Sequence, residues 1–275
     1  MTRAGLGWVG VVALLVLGTA CGGRSRAPRA AEATSTVSTT TSGPPGVPPG
    51  TRLRPVGSMT VSQPGRVLSD LAVSGTITVD APDVVIRRSR FTGHGELFAV
   101  VVRSGSVHVD QCEISGDYSV AAVGTDDWTV SRCDVHGLPG DGFKLGNHVT
   151  LESSWLHDWA AAAGSHADGA QLEAGVVDVT VRNNVIEIAG NSALFIAPDL
   201  GPDSPGPVRV EGNVLGGGNY TVYVVDGDRG RYSLSGVSVR DNRFRRTAHF
   251  GPAYLDVPVQ WQGNVWADTG ASISR

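Results

Sequence analysis

The octapeptide VTVRNNVI, residues 179–186, contains the pattern that decides the fold of this chain. Apolar residues at its first and third positions alternate with polar residues, which is typical of a β-strand with one buried face. Asn184, at the sixth position, favours a turn, and the eighth position is apolar again. The octapeptide therefore predicts a strand, a bend and the start of a second strand.

This pattern occurs eight times in the 275-residue chain, and successive copies begin 21 to 30 residues apart. The copies begin at Val84, Val107, Trp128, Val149, Val179, Val208, Val237 and Val259. A further short apolar run lies between most of them. Helical repeats would need a spacing of 3.6 residues rather than two, so the repeat predicts an all-β parallel solenoid of about eight to nine coils.

The sixth position of the repeat has a small or amide side chain in every copy. Its residues are Ser89, Cys112, Cys133, Ser154, Asn184, Asn213, Asn242 and Asn264. Equal positions in stacked coils lie about 4.8 Å apart. Asn side chains can therefore hydrogen-bond from coil to coil, and they tolerate the left-handed backbone that we expect at the bend. Cys112 and Cys133 are expected to be two small stacked residues; a disulfide is the alternative, because exported proteins meet oxidising conditions.

With these repeats and its asparagine ladder, the chain resembles the right-handed parallel β-helix proteins of the pectate-lyase-like superfamily over roughly residues 70–268. The resemblance implies a right-handed parallel β-helix. It implies no single activity, because this superfamily includes lyases, hydrolases, epimerases, phage tailspikes and adhesins. The paired Asp motifs, Gly-His-Gly and Arg-x-Lys of its polygalacturonase-like members are absent, which argues against that branch. Solenoids cover their open ends, so we expect residues 54–70 and 267–275 to be caps.

The N-terminal part of the chain differs in composition from the rest. Residues 1–20 have the basic, apolar and small-residue order of a signal peptide. The run VLGTACGG resembles a bacterial lipobox, which implies a lipid on Cys21; cleavage without lipidation is the alternative. Residues 21–54 are rich in Ala, Ser, Thr, Pro and Gly, as in a flexible linker, and the β-helix domain is predicted at 55–275. We therefore expect an extracytoplasmic protein, held at the cell membrane through the lipid or secreted.

The charge distribution narrows the range of partners. The formal net charge is −4, and the arginines are dispersed rather than clustered in a stripe. Nucleic acid is therefore not an expected partner. We expect a monomer without an obligatory cofactor; Ca²⁺ held by the carboxylates of the central coils is an alternative.

Equal positions in successive coils place polar and aromatic side chains in a column. Aligning the strands between the repeats puts Lys144 beside Gln171, then Phe195 and Tyr223, with Ala122 on the other side of Lys144. A cation, an amide and two rings suit a groove for a sugar chain, so we expect a polysaccharide partner. A second column is expected to border the same strand: Ser115, His136, His157, Glu187 and Gly216. The candidate substrate contacts are Gln171, Phe195, Tyr223, His157 and Glu173.

Asp141, Lys144, His166 and Asp168 are the candidates for catalysis. Lys144 is the only lysine beside 21 arginines, which indicates a role specific to an ammonium group. His166 can act as a base because an ordinary imidazole pKa is about 6.5. Asp168 shares a strand face with His166 and can orient it, while Lys144 can hold a substrate carboxylate or stabilise an enolate. The residues favour β-elimination on a uronate-containing polysaccharide.

Other interpretations of these residues are open at this point. Asp141 and Asp168 on adjacent coils are candidates for the acid and base of a glycoside hydrolase, which needs carboxylates about 5 to 9.5 Å apart. Each is followed by glycine, so both could instead mark structural turns. A metal site of His136, His157 and His166 is not expected, because their spacing is not tight. A glycan- or cell-wall-binding surface protein without catalysis is the remaining alternative.

Overall fold

A computed structural model describes residues 43–162, 165–198 and 201–274. The predicted signal peptide, Cys21 and the linker up to residue 42 lie outside the described residues. Within the described part of the chain, no helix has the length and hydrophobicity needed to span a membrane.

The described residues form 24 β-strands and one short 3-10 helix, Asp228–Gly230. In chain order the strands are β1 Arg54–Val56, β2 Met59–Val61, β3 Val67–Ser69, β4 Leu71–Val73, β5 Ile77–Arg87, β6 Arg90–Asp110, β7 Glu113–Gly124, β8 Trp128–Ser131, β9 Asp134–His136, β10 Asp141–Leu145, β11 Val149–Glu152, β12 Trp155–His157, β13 Asp168–Leu172, β14 Val179–Arg182, β15 Val185–Ile188, β16 Ser192–Ile196, β17 Val208–Glu211, β18 Val214–Gly217, β19 Tyr220–Val224, β20 Val237–Arg240, β21 Arg243–Phe244, β22 Gly251–Leu255, β23 Val259–Gln262 and β24 Val265–Trp266.

The strands stack in parallel into a right-handed β-helix with three faces, which confirms the predicted fold. Sheet A contains the first half of each repeat: β3, β8, β11, β14, β17, β20, β23 and parts of β5 and β6. Sheet B contains the second half: β1, β4, β9, β12, β15, β18, β21, β24 and parts of β6 and β7. Sheet C contains the strands between repeats: β2, β10, β13, β16, β19, β22 and parts of β5, β6 and β7.

The core fills the interior of the coils with the apolar positions of the repeat. In β14, Val179 and Val181 are completely buried, whereas Thr180 and Arg182 are not. Burial of such side chains contributes most of the folding free energy. The two-residue alternation in the sequence therefore reports directly which side of each strand faces inward.

The sixth-position residues form one continuous buried column at the bend between sheets A and B, which we call the turn column. The backbone N–H of Asn184 donates to Asn213 Oδ1 at 2.9 Å, and the Asn213 N–H donates to Asn242 Oδ1 at 3.0 Å. Each amide group also donates to a carbonyl oxygen of sheet A, as Asn213 Nδ2 does to Val181 at 2.9 Å. These bonds confirm the predicted asparagine ladder.

The left-handed backbone lies one residue earlier than expected. The fifth position of every repeat has positive φ, from 48° at Arg88 to 66° at Gly212, whereas the Asn residues of the turn column do not. The prediction that the ladder residues themselves adopt this conformation is wrong. The fifth residue has the left-handed backbone that makes the bend. The side chain of the sixth residue forms the hydrogen bonds of the ladder.

Cys112 and Cys133 are stacked members of the turn column, with no disulfide between them. Both are buried, and the Cys112 N–H donates to Cys133 Sγ at 3.4 Å. Burial raises the pKa of the Cys133 thiol well above its ordinary value. The cysteines therefore occupy the slot that Ser154 fills one coil further on, where its Oγ accepts from the Cys133 N–H at 3.0 Å.

The ends of the folded unit differ from the sequence prediction on one side. Residues 54–69 contain strands β1 to β3, which pair with the following coil, so this segment is a coil of the helix rather than a cap. The folded unit begins at Gly43, before the predicted start at residue 55. In this added segment, the Gly46 N–H donates to the Arg132 carbonyl at 2.8 Å. At the other end, the Ile273 N–H donates to the Asn264 carbonyl, so the last residues fold back over the final coil.

Candidate functional site

The outer face of sheet C contains the predicted column, but one member differs from the prediction: Phe195, expected as an exposed ring for sugar stacking, is buried, with 9% of its surface exposed. Lys144 pairs in register with Gln171, Gln171 with Phe195 and Phe195 with Tyr223. Phe143 and Leu145 are completely buried on either side of Lys144, so its side chain lies on the outer face.

The ends of this column extend and correct the sequence prediction. Phe143 pairs with Val123, which places Gly124 beside Lys144. The predicted neighbour of Lys144, Ala122, is therefore wrong, because the actual neighbour lies two residues further along the chain. On the other side, Tyr223 pairs with Tyr254, so the column continues into the last coil.

Asp141, Asp168 and Ser192 form a second buried column at the start of the sheet C strands, which we call the carboxylate column. Asp141 Oδ1 accepts from the Asp168 backbone N–H at 2.8 Å. Asp168 Oδ1 accepts from Ser192 Oγ at 2.5 Å and from Asn191 Nδ2 at 3.0 Å. Asp168 Oδ2 has no hydrogen bond from the described residues.

The Asp-Gly pairs lie inside strands β10 and β13 and not in turns. Their glycines are needed because neighbouring coils approach closely. A Cβ on Gly142 would lie 2.2 Å from the Gly169 carbonyl oxygen, and one on Gly169 would lie 2.5 Å from the Ala193 carbonyl oxygen. The turn interpretation of these pairs is therefore wrong, although a structural role for the glycines is correct.

His166 projects from the end of the loop before β13. It lies beside Asp168 Oδ2, the oxygen without a hydrogen bond, which we call the orphan oxygen. Its Nδ1 lies 3.3 Å from Asp168 Oδ2, and its side chain is 57% exposed whereas that of Asp168 is 0% exposed. The ring also meets the edge of Phe195, with centroids 5.1 Å apart. The structure thus places an accessible imidazole against a buried carboxylate.

Lys144 lies in the same groove, held by two neighbours. Its Nζ is 2.7 Å from Asp141 Oδ2 and donates to Gln171 Oε1. An ammonium group has three N–H donors, so one is left for another acceptor. The groove has a volume of about 390 Å³. Its lining includes Ser119, Asp141, Lys144, Ser165, His166 and Gln171.

Burial raises the pKa of the Asp168 carboxyl above its ordinary value. Hydrogen bonds from Ser192 and Asn191 oppose this shift, while the negative charge of Asp141 adds to it. His166 lowers the pKa of the same carboxyl, because a positive imidazolium would favour the ionised form. The Asp168 carboxylate is therefore stabilised when His166 gains a proton.

Beyond the predicted Tyr223, this surface continues in aromatic rings that the sequence pattern did not reveal: Tyr220, Tyr254 and Phe250. Tyr223 lies 5.5 Å from Phe195, 5.5 Å from Tyr220 and 6.1 Å from Tyr254, between ring centroids. Phe250, 62% exposed, lies 5.5 Å from Tyr220. Tyr254 could have been predicted from the sequence, because its pairing with Tyr223 follows the repeat. Phe250 could not, because it lies between strands, where the repeat gives no register.

The second predicted column lies on another face of the molecule. His157 pairs with His136 on sheet B, as the sequence predicted, but it does not border the sheet C groove. His157 Nε2 lies 2.8 Å from Asp134 Oδ1, and its Nδ1 lies 2.8 Å from Asp158 Oδ2. The single neighbourhood predicted from the two columns is therefore wrong. Glu173 follows β13, is half-buried and does not line the sheet C groove.

Among the described residues, no group of three or more His, Cys, Asp or Glu side chains is arranged to hold a metal ion. Both oxygens of Asp141 are already engaged, one by the Asp168 N–H and the other by Lys144. A calcium ion there would compete with an ammonium group, which makes the site a poor fit for Ca²⁺.

The fold and the groove define a parallel β-helix protein with a polar groove on one sheet and aromatic rings further along the same sheet. No known family model matches the chain, and no curated protein matches it. Among solved structures, the Dettilon tailspike protein is similar, at 12% sequence identity and a TM-score of 0.30, over 79% of this chain and 60% of the tailspike chain. The protein thus spans 60% of the length of that neighbour, and its function has to be inferred from its own residues.

Proposed function

We propose that this protein binds an acidic polysaccharide along sheet C and cleaves it by β-elimination. The observation that carries this proposal is the exposed imidazole of His166, held 3.3 Å from the fully buried carboxyl of Asp168 at the edge of the Lys144 groove. Perturbed carboxyl groups beside an accessible base in a groove are typical of reaction centres.

The proposed chemistry follows from the position of each proton. His166 Nδ1 faces Asp168, which leaves Nε2 to take the proton from the carbon next to a uronate carboxylate. The electrons of that C–H bond form a carbon–carbon double bond, the bond to the glycosidic oxygen breaks, and this oxygen takes a proton from water. The hydroxide that remains takes the proton from the His166 imidazolium, which restores the base. The free N–H of Lys144 stabilises the charge that develops on the uronate carboxylate.

The burial of Asp168 disfavours glycoside hydrolysis by the Asp141 and Asp168 pair. A hydrolase acid must contact the glycosidic oxygen, but Asp168 has no accessible surface and Asp141 is also buried. In this arrangement Asp168 acts through His166, as a positioning residue.

A second candidate function is glycan binding without cleavage. It is favoured by the aromatic surface of Tyr220, Tyr223, Tyr254 and Phe250, which extends from the buried Phe195 to the last coil. Rings of this kind stack on the apolar faces of sugars. This surface is compatible with both candidates, since a lyase also has to bind the rest of its chain.

Location outside the cytoplasm is part of the same proposal. It is supported by the signal-peptide order of residues 1–20 and by the lipobox-like run around Cys21, both outside the described residues. Lipidation predicts that a fatty-acid label is incorporated in cells producing the wild type and not in cells producing Cys21→Ser. Incorporation of the label into both proteins would contradict the anchor at Cys21.

The test of the activity is incubation of the purified β-helix with a panel of polyuronates, followed by ultraviolet absorbance of the conjugated unsaturated product. The proposal predicts a growing absorbance with at least one polyuronate. Tight binding of these polymers without any change in absorbance would leave only the binding candidate. Neither binding nor product from any of them would contradict both.

A further inference from the structure

A larger groove lies over sheet B, away from the sheet C site. Its volume is about 1250 Å³. Its lining includes Trp155, Asp158, Glu187, Asn219, Arg245 and His249. Neither Lys144 nor His166 lines it, so the activity proposed above does not use it.

The aromatic part of this groove is held in a fixed orientation. The Trp155 ring stacks on His157 with centroids 3.6 Å apart and an interplanar angle of 20°. His157 is held in turn by Asp134 and Asp158, each at 2.8 Å from one ring nitrogen. Trp155 nevertheless remains 42% exposed. A large ring that is rigid and accessible before binding loses little entropy when a ligand stacks on it.

The polar part of the groove is also braced. Arg245 reaches Glu187 across Gly216, the residue between them in the register of sheet B. A Cβ on Gly216 would lie 3.1 Å from the Arg245 Cβ and 2.7 Å from Thr247 Oγ1, so the arginine passes over this position only because it is a glycine. The groove therefore offers a fixed guanidinium and carboxylate in the same lining as the indole ring.

The charges in this groove differ from those of the sheet C groove. Asp158 is 86% exposed and Glu187 adds a second carboxylate, whereas Arg245 is the one arginine of the lining. The guanidinium is already paired with Glu187. An acidic polymer would therefore meet two carboxylates and an arginine that is already paired, while a neutral sugar would find both donors and acceptors for its hydroxyl groups.

We propose that the sheet B groove binds a neutral oligosaccharide, which stacks on Trp155 and hydrogen-bonds to Asp158, Asn219 and Arg245. This site and the sheet C groove accept different ligand charges. The protein would then bind a neutral glycan on one face and an acidic one on another.

The experiment is calorimetric titration of the purified protein with the neutral β-linked hexaoses of glucose, xylose, mannose and N-acetylglucosamine, and with a hexauronate. At least one neutral hexaose is expected to bind, and Trp155→Ala is expected to weaken it by about 10-fold or more. Trp155→Tyr, which keeps a ring, should restore part of the affinity.

The matched control is Tyr254→Ala, which removes an exposed ring of sheet C. It should leave neutral-hexaose binding unchanged, and Trp155→Ala should leave hexauronate binding unchanged. The inference is overturned if none of the four neutral hexaoses binds at millimolar concentration, or if Trp155→Ala, with wild-type thermal stability, binds them as the wild type does. Neither result would bear on cleavage of polyuronates at sheet C.

Discussion

Two columns of buried polar side chains run along this β-helix, and they differ in how completely their hydrogen bonds are satisfied. In the turn column, Asn213 accepts from the Asn184 backbone and donates to both Val181 and Asn242. In the carboxylate column, Asp168 has one engaged oxygen and one that meets only the imidazole of His166. The same coil-to-coil stacking thus gives a fully hydrogen-bonded ladder in the turn column and a carboxylate oxygen without a hydrogen bond in the carboxylate column.

This difference separates the structural polarity of the turn column from the polarity that we propose to be functional in the carboxylate column. A buried polar group without a hydrogen bond costs free energy, and Asp168 Oδ2 is such a group, as are Glu96 Oε2 and Arg240 Nε elsewhere in the described residues. The turn column contributes stability and offers nothing to a ligand. In the carboxylate column, the unpartnered oxygen of Asp168 costs some stability and lies beside the exposed imidazole of His166. This is the arrangement expected of a reaction centre.

The largest effect is expected from His166→Ala, which tests the function of the carboxylate column. Loss of a general base should reduce uronate elimination by about 10² to 10⁴-fold. Because His166 is largely exposed, thermal stability should stay close to that of the wild type. His148→Ala, which removes another exposed histidine outside the sheet C groove, is the control and should retain full activity. Full activity in His166→Ala would remove the proposed base.

The next effect is expected from Asn213→Ala, which opens the turn column. The substitution leaves the buried N–H of Asn184 and the carbonyl of Val181 without their partners. The free energy of unfolding should fall by about 2 to 4 kcal/mol, measured by urea denaturation. The exposed Asn219→Ala is the matched control, with an expected change below about 0.5 kcal/mol. Equal stability of both variants would show that the ladder contributes little.

Asp168→Asn should have opposite effects on activity and on stability. Because burial raises the pKa of Asp168, the native state favours its protonated form. The wild type therefore loses stability as the pH rises from the ordinary Asp value of 3.8 through the raised pKa, and an asparagine does not. Urea denaturation over this pH range should show that the free energy of unfolding of the variant increases relative to that of the wild type as the pH rises. Elimination activity should fall, because His166 loses its carboxylate partner. A constant stability difference at all pH values would contradict the raised pKa.

The smallest effect is expected at the cysteines of the turn column. Ser89 and Ser154 already fill the equivalent slot, so Cys133→Ser should change the free energy of unfolding by less than about 1.5 kcal/mol. Both thiols are buried, and the pKa of Cys133 is raised, so neither should react with an aromatic disulfide reagent in the native protein. Rapid labelling of the native protein would show that the column opens, unlike the closed ladder described here.

The sequence predicted the fold because the β-helix repeats one physical rule in every coil. The alternation around Val179 and Val181 gives the buried face, and Asn184 marks the bend, so these features need no long-range information. The register between Lys144 and Gln171 followed for the same reason.

Other parts of the site could not be read from the sequence. The run Ala121–Val123 has no polar residue to fix its register, so the pattern predicts Ala122 at the position beside Lys144 where Gly124 lies. His157 lies on sheet B and Lys144 on sheet C, and the alternation within a strand does not report how far apart the outer faces of two sheets lie. The orphan oxygen of Asp168 depends on the burial of a single atom, which no pattern reports.

The central claim is that His166 and Asp168 form an elimination centre on sheet C, and the most direct measurement is the mass of the products from a defined hexauronate in heavy-oxygen water. Elimination predicts one unsaturated end per cleaved bond and no incorporation of heavy oxygen at the break. Saturated products containing one heavy oxygen would show hydrolysis, and an intact hexauronate after prolonged incubation would show binding alone. Either result would contradict the claim.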